Sequence, residues 1–408
     1  MKNKKLLFLC PSYPAIGGVE AVTSLLVDFF LEKGFEVFIL VSGTEKLLGS
    51  SLDKHINLMS VMENPLNSEE NLAFIDRFID EKDIACVFNQ GIFSQSYLHA
   101  ALHKDVLFFN TLHSCPFWEV DNFKYSSLGQ LLLVEKKSFS KFKVIVRFIL
   151  NKIKFGWSHP SILSFYRKQI ESVSYYVVLD QAYKTILENR LYGGVQQEKI
   201  KVIPDPLALP KKKSFNKQKK VLYVGRLTGE SKRVDRLLRI WKKIQHEISG
   251  WELLIVGDGN QRENLQDMSR KLRLENVYFF GYANPVPFYE SADILCLTST
   301  YEGFGMVLTE AQSYGAVPVS FRCSDAIGKI IDHGVNGLIV ESFDEESFAK
   351  ELLMLMKDDS LRVSMGRNAI NKASDFNIEK IGQAWLHLMG DHNNNRAIRQ
   401  SPRPPFPS

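Results

Sequence analysis

A chain of 408 residues has room for two domains of ordinary size, and 45% hydrophobic residues can supply two buried cores. Lys and Arg number 51 against 46 Asp and Glu, and a net charge of +5 is too mild to imply nucleic acid as a partner. Five cysteines (Cys10, Cys86, Cys115, Cys296, Cys323) form no Cys-x-x-Cys pair and sit mostly in apolar runs, which argues for reduced core thiols of a cytosolic protein and against disulfides or zinc ligands.

The opening KNKKLLFLC is too short an apolar run for a signal peptide, and no uninterrupted apolar run approaches membrane-spanning length. Strands and helices alternate from the start, the pattern of an α/β protein with parallel sheets. Leu6 to Cys10 reads as a strand, followed by PSYPAIGGVE and a helix in which Val19, Val22, Leu26 and Phe29 recur at helical spacing. Gly34 ends that helix, and Phe35 to Val41 is the next strand. Gly17 and Gly18 thus occupy the first strand-to-helix turn, where doubly wound folds bind ligands, although two adjacent glycines alone specify only a tight turn.

Ile84 to Asn89 and Val106 to Leu112 are further strands, the second ending in His113. A lone histidine at a strand end is more often structural than catalytic. From Lys136 to Lys168 there are nine basic residues and no acidic ones, interleaved with apolar side chains. Such a stretch fits an anionic lipid interface or ordinary helices with a solvated basic face, and composition does not separate the two. Tyr175 to Leu179, a helix from Gln181 to Leu191 and a strand from Ile200 to Ile203 complete the first unit.

Pro204, Pro206 and Pro210, followed by KKKSFNKQKK, mark a solvated linker over 204–219. A second α/β series begins with VLYVGRL and a helix from Val234 to Ile248, and continues through WELLIVGDG, VYFFGY and ADILCLTS. Arg226 follows directly on a strand, and Lys232 is expected to open the next helix. Two such cations could neutralise a diphosphate, Arg as a planar fork and Lys as a point charge. Gly257, Asp258 and Gly259 read as a plain turn. Ile378 to Met389 carries Ile381, Trp385 and Leu388 at helical spacing, and the Pro-rich, polar segment 391–408 reads as a disordered tail.

The stretch TSTYEGFGMVLTEAQSYGAVPVS, Thr298 to Ser320, holds the densest set of candidate residues. A strand over Asp293 to Leu297 feeds the turn Gly303, Phe304, Gly305 and then a helix, whose first N–H groups and dipole favour an anion. Glu310 then lies roughly 7 to 8 Å along that helix from Gly305, at about 1.5 Å per residue. Carboxylates suit the vicinal diols of a sugar or a ribose better than they suit a phosphate, so the implied order of ligand groups is sugar, phosphate, ribose. Spacing alone favours the plainer reading, a surface Glu302 in a loop and a Glu310 pairing along its helix.

Glu302 and Glu310, with seven residues between them and Gly-Phe-Gly after the first, resemble the signature of the retaining glycosyltransferases of family 4, and the likeness extends over most of the chain. The resemblance implies the GT-B fold: α/β, with two Rossmann-like doubly wound domains facing a central cleft. Residues 1–203 would bind acceptor, completed by a C-terminal helix at about 376–390, and residues 220–375 would bind a nucleotide sugar. It further implies that His113 faces the donor sugar, that Arg226 and Lys232 contact the diphosphate, and that Glu302 holds the sugar and Glu310 the ribose. Gly17 and Gly18 would face the phosphates, Gly303, Phe304, Gly305, Met306 and Val307 would cradle the donor, and Tyr282 would lie against the base. Two departures stand out: relatives commonly carry Asn-Pro where this chain has Asp205-Pro206, and Lys-Gly where it has Lys232-Arg233.

No Asp-x-Asp occurs in the chain. A metal-independent enzyme without cofactor is therefore expected, with cations and a helix N-terminus stabilising the departing nucleoside diphosphate. The expected activity is transfer, with retention, from a UDP-sugar to a glycan or lipid-linked acceptor in bacterial surface polysaccharide synthesis. The expected location is the cytoplasm, with 136–168 as a contact to the inner face of the plasma membrane. The alternatives are a non-catalytic GT-B subunit binding a partner enzyme or glycan, or a same-fold nucleotide-sugar epimerase. A pure scaffold has no need of His113, Arg226, Lys232, Glu302 and Glu310 together.

Overall fold

Short β-branched and aromatic runs separated by amphipathic helices fold into two all-parallel sheets. The computed structural model describes residues 4–400 except 12, 14–16, 42–55, 61–68, 92–105, 119–158, 193, 212–216 and 230. The first sheet contains β1 (Lys5–Cys10), β2 (Glu36–Val41), β3 (Ile56–Ser60), β4 (Cys86–Asn89), β5 (Leu107–Leu112), β6 (Tyr175–Val178) and β7 (Ile200–Val202). Its seven strands run in the order β3-β2-β1-β4-β5-β6-β7. Helices α1 (Gly18–Glu32), α2 (Glu69–Lys82), α3 (His159–Glu171) and α4 (Gln181–Leu191) connect them. The edge strand β3 was not read from the sequence.

Both faces of this sheet are covered, as a parallel sheet requires. Along β1, Leu6, Phe8 and Cys10 pack on the α1 side, while Leu7 and Leu9 point into a second cluster with α2 and α4. Burial, the largest cause, pushes the Cys10 thiol up to about 12, and Cys86 higher still, so both are inert core residues.

The second sheet contains β8 (Lys220–Val224), β9 (Glu252–Val256), β10 (Val277–Gly281), β11 (Ile294–Leu297), β12 (Val317–Phe321) and β13 (Leu338–Val340), in the order β10-β9-β8-β11-β12-β13. Its helices are α5 (Val234–Ile244), α6 (Arg262–Lys271), α7 (Val286–Ser291), α8 (Met306–Ser313), α9 (Ile327–Ile330), α10 (Glu345–Lys357) and α11 (Asp359–Ala373). Helix α5 ends at Ile244, short of the expected Ile248. The Gln245 side chain there donates to the Arg273 carbonyl and accepts from the Glu275 N–H, which draws the chain out of the helix.

The polypeptide crosses between the sheets twice, and the crossings are hydrogen-bonded to each other. Leu207 N–H donates to the Phe376 carbonyl at 2.7 Å, and Ile378 N–H donates to the Leu207 carbonyl at 2.9 Å. The last helix, α12 (Ile378–Gln400), returns to the first sheet. There Trp385 meets Phe88 and Phe109 at ring-centroid distances of 5.3 and 5.4 Å, and Lys33 pairs with Glu379 at 3.1 Å. Gly382 lies so close to α1 that an added Cβ would stand 2.4 Å from the Phe29 ring.

Helix α12 continues to Gln400, so residues 391–400 are helical where a disordered tail was expected; no proline occurs before Pro402 to stop it. Residues 401–408 lie outside the described residues, as does 136–158 of the basic stretch. At the end of that stretch, Arg167 is committed to the protein interior and donates to the Leu191 carbonyl at the end of α4. Among the described residues no helix is long and apolar enough to cross a membrane.

Trp385 is 2% exposed and belongs to the cluster that α1 and the first sheet share. Trp385→Ala is expected to destabilise the first domain by about 3–5 kcal/mol. Urea denaturation, with far-UV dichroism at the start of the titration to confirm native structure, measures this.

Candidate functional site

In an open α/β sheet the crevice for a ligand lies at the carboxyl ends of strands, where the strand order reverses. The first sheet reverses between β1 and β4, and the second between β8 and β11. The loops leaving these four strands carry Gly17 and Gly18, Gln90, Arg226 to Lys232, and Thr298 to Gly305, and they face one another across the two domains. Helices α1 and α8 begin at this junction. An ideal Cβ on Gly18 would lie 3.5 Å from Met306 Sδ, so two helix N-termini from different domains converge on one place. Gly305, at φ 93°, supplies the left-handed backbone that starts α8.

The domains meet backbone on backbone at Gly303. A Cβ on Gly303 would stand 2.0 Å from the His113 carbonyl oxygen. The Tyr183 hydroxyl on α4 donates to the Gly303 carbonyl at 2.6 Å, and Phe304 packs against Phe376 at 5.4 Å. Trp118, just beyond His113, stacks on Tyr301 at 6.0 Å with the rings 20° apart. A continuous buried cluster runs from the first sheet through Leu207, Phe304 and Phe376 to the second.

Lys232 and Glu302 meet directly: the ammonium donates to Oε1 at 2.7 Å and Oε2 at 2.9 Å, and Ser299 Oγ donates to Oε1 at 2.5 Å. The carboxylate is 10% exposed and the ammonium side chain 21%. The two groups assigned from sequence to different parts of a ligand therefore neutralise each other in the free protein, since an unpaired charge at this depth would be costly. Lys232 does not open α5 as expected. The helix begins at Val234, and Arg233 holds the left-handed position before it at φ 46°. That conformation, suited to the glycine of relatives, is stabilised here by a bidentate ion pair of Arg233 with Asp235 at 2.9 Å and by Thr298 Oγ1 donating to the Arg233 carbonyl.

Arg226 is exposed, and its guanidinium has no partner among the described residues. Its carbonyl accepts from the buried Tyr223 hydroxyl at 3.2 Å. Burial, and then the Glu302 carboxylate, pushes the Tyr223 hydroxyl far above its ordinary value while Arg226 pulls the other way, so the three share one electrostatic neighbourhood. Glu310 accepts from the Tyr289 hydroxyl of α7 at 2.5 Å. Burial raises the Glu310 carboxyl above its usual range, and the Tyr289 hydrogen bond opposes that only in part. Tyr282 is 65% exposed at the end of β10. The Gly257 to Gly259 turn is laced to the Arg226 loop, with Leu227 N–H donating to the Asp258 carbonyl at 2.8 Å.

His113 is pinned at both ring nitrogens, by Asp205 Oδ1 at 3.2 Å on Nδ1 and by Gln90 Oε1 on Nε2. The residues that hold these groups were not read from the sequence: Tyr183, Tyr289 and Gln90 belong to no motif, Ser299 lies in the Thr298–Ser320 stretch but was not singled out, and Asp205 was noted only as a departure in the linker. Among the described residues no group of three or more His, Cys, Asp or Glu is placed to hold a metal ion.

Residues 207–372 match the family model described as glycosyl transferases group 1. An uncharacterized glycosyltransferase of Haemophilus influenzae is 26% identical over 396 residues, 95% of this chain and 100% of that protein. The amylovoran biosynthesis glycosyltransferase AmsD of Erwinia amylovora is 34% identical over 175 residues, 42% of this chain and 48% of its own length. Among solved structures, Anabaena HepE in complex with UDP and glucose superposes with a TM-score of 0.70 at 18% identity, covering 95% of this chain and 100% of that one. That likeness establishes the GT-B architecture of two facing parallel-sheet domains.

Two outcomes are expected of this geometry. Gly303→Ala forces its methyl against the His113 carbonyl and should part the domains, read as a larger radius of gyration by small-angle scattering with unchanged far-UV dichroism. Glu310→Gln should stabilise the ligand-free protein at neutral pH. The raised Glu310 pKa means that burial of the ionised carboxylate weakens the fold above that pKa and not below the ordinary glutamate value of about 4.3. The gain, read as a difference in thermal midpoint, should therefore disappear as the pH falls through this range.

Proposed function

We propose that the chain, whose residues 207–372 match the model of the glycosyl transferases group 1, is a retaining glycosyltransferase that takes its sugar from a nucleotide diphosphate donor, a UDP-sugar, without a metal ion. The observation that carries this reading is the convergence of the α1 and α8 N-termini beside Arg226 and the Lys232–Glu302 pair. Helix N-termini and cations are what a diphosphate needs, and a carboxylate held next to them is what the hydroxyls of the attached sugar need. Arg226 and Lys232 take the diphosphate, Glu302 the sugar, and Glu310, oriented by Tyr289, the ribose. Gly17, Gly18 and Gly303 to Val307 line the phosphates, Tyr282 lies by the base and His113 faces the sugar from the first domain.

In the transfer, the bond between the anomeric carbon and the phosphate oxygen breaks as the acceptor oxygen bonds to the same face of the sugar. The acceptor proton passes to the departing phosphate oxygen. Arg226, Lys232 and the helix N-termini stabilise the negative charge that gathers on the leaving group. The acceptor is a glycan or a lipid-linked sugar of a bacterial surface polysaccharide. Support comes from the Erwinia relative, named for amylovoran biosynthesis, and from the Campylobacter jejuni relative named as an N-acetylgalactosaminyltransferase acting on an undecaprenol-linked saccharide. The basic stretch 136–168 would bring the enzyme to the cytoplasmic membrane face where such acceptors reside.

Calorimetry with UDP, GDP and ADP in EDTA tests the donor assignment. Binding of UDP alone, weakened about tenfold or more in Glu310→Ala, is the expected result. No binding of any of the three would remove the reading. Lys232→Ala and Arg226→Ala should each lower turnover about 100-fold or more while retaining the native melting transition, and near-normal turnover in either would remove the diphosphate assignment.

A further inference from the structure

We infer that Asp205 is a positioning residue for His113, fixing which ring nitrogen this side chain offers to the cleft. The inference adds to the proposed function and rests on that reading only for the identity of the ligand group that His113 meets. The His113 and Asp205 side chains are each 7% exposed, and Nδ1 faces Asp205 Oδ1 at 3.2 Å. A carboxylate only accepts, so Nδ1 is the nitrogen that carries the proton. Nε2 is thereby left as the variable position of the ring, and it faces Gln90.

Gln90 is fully buried, and its amide nitrogen has no partner among the described residues while its Oε1 lies against Nε2. With Oε1 as the facing atom, Nε2 would have to donate as well. Turning the amide over would instead let its NH2 donate to a neutral ring and would relieve the orphaned nitrogen. Gln90 therefore serves either state of Nε2, whereas Asp205 permits only one state of Nδ1. A ligand hydroxyl that replaces Gln90 at Nε2 meets a ring already held in register.

The hold is rigid for a second reason. Asp205 stands two residues before Leu207, whose N–H and carbonyl are both bonded to the returning chain at Phe376 and Ile378. It thus ties His113, just after β5 of the first sheet, to the crossing where the domains join. The His113 carbonyl meanwhile abuts Gly303 of the second domain. A loosened ring would be felt where the donor sugar sits, and not at the nucleotide.

The test uses the full chain with nitrogen-15-labelled histidine and two variants. In wild type, the nitrogen-15 spectrum at neutral pH should show His113 protonated at Nδ1. Asp205→Leu should lose that signature, and Asp205→Asn, which keeps an acceptor oxygen, should retain it. In calorimetry, Asp205→Leu should bind UDP within about twofold of wild type. The same variant should bind the preferred UDP-sugar, chosen among UDP-glucose, UDP-galactose and their N-acetylated forms, about tenfold more weakly, with Asp205→Asn close to wild type. An unprotonated Nδ1 in wild type, or the same nitrogen-15 pattern in Asp205→Leu, would overturn the inference. If Asp205→Leu fails to fold, the wild-type spectrum and Asp205→Asn still decide it. Absence of any UDP binding by wild type would instead count against the proposed function, and the nitrogen-15 result would then decide the role of Asp205 by itself.

Discussion

A backbone that touches another backbone leaves nothing to adjust, and the cleft of this protein is built on such a contact. With Gly303 set against the His113 carbonyl and its own carbonyl held by the Tyr183 hydroxyl, the first domain fixes the turn that starts α8 in the second. Close-packed interiors transmit small displacements instead of absorbing them. The apolar cluster running through Leu207, Phe304 and Phe376 extends this coupling from the turn to both sheets. The candidate site is consequently a property of the interface, since each domain contributes a helix N-terminus and neither contains the full set of polar groups.

Two buried ion pairs in the second domain illustrate different uses of charge. Asp293 and Arg362, at 2.9 Å and 6% and 8% exposed, are closed on all sides. Arg362 also donates to the Leu355 carbonyl and to Asp359, and it stacks over Trp251. Every polar atom of that guanidinium has a fixed task, and the pair joins the start of β11 to α11. Lys232 and Glu302 are equally close in distance but open on one side, with Ser299 as the only further side-chain partner among the described residues. Buried pairs contribute little net stability when their desolvation is counted. A pair that is half open and incompletely bonded is better understood as a neutral resting state of groups that exchange partners when a ligand arrives.

Much of this was legible in the sequence because it is local. The strand-to-helix turns at Gly17 and at Gly303 to Gly305, the position of Arg226 at a strand end, and the return of Trp385 at helical spacing are all set by periodicity and by turn chemistry over a few residues. The supporting contacts were not legible, because they join distant positions. Tyr183 and Gly303 are 120 residues apart, and His113 and Asp205 are 92 apart. No short pattern announces such partners. Lys232 was misplaced relative to α5 for a related reason: the left-handed Arg233 is secured by Asp235 and Thr298, and Thr298 lies in the loop after β11, 65 residues away. The helix through 400 was missed because the segment is polar, lacks apolar periodicity and ends in prolines, although polar residues such as asparagine are only weakly unfavourable in a helix.

The double crossing at Leu207 and Asn377 has a consequence for how the chain is made. The first domain is discontinuous: Phe29, Phe88 and Phe109 receive their cover from α12, which begins only at Ile378. During synthesis at about 5–20 residues per second, the whole second domain must leave the ribosome before that helix appears, a delay of roughly 10 to 35 seconds. Throughout that interval an aromatic face of the first sheet has no partner from its own chain. The order in which the halves mature is therefore the reverse of the order in which they begin: the second domain, continuous in sequence, can close first, and the first domain is finished by the segment that emerges last.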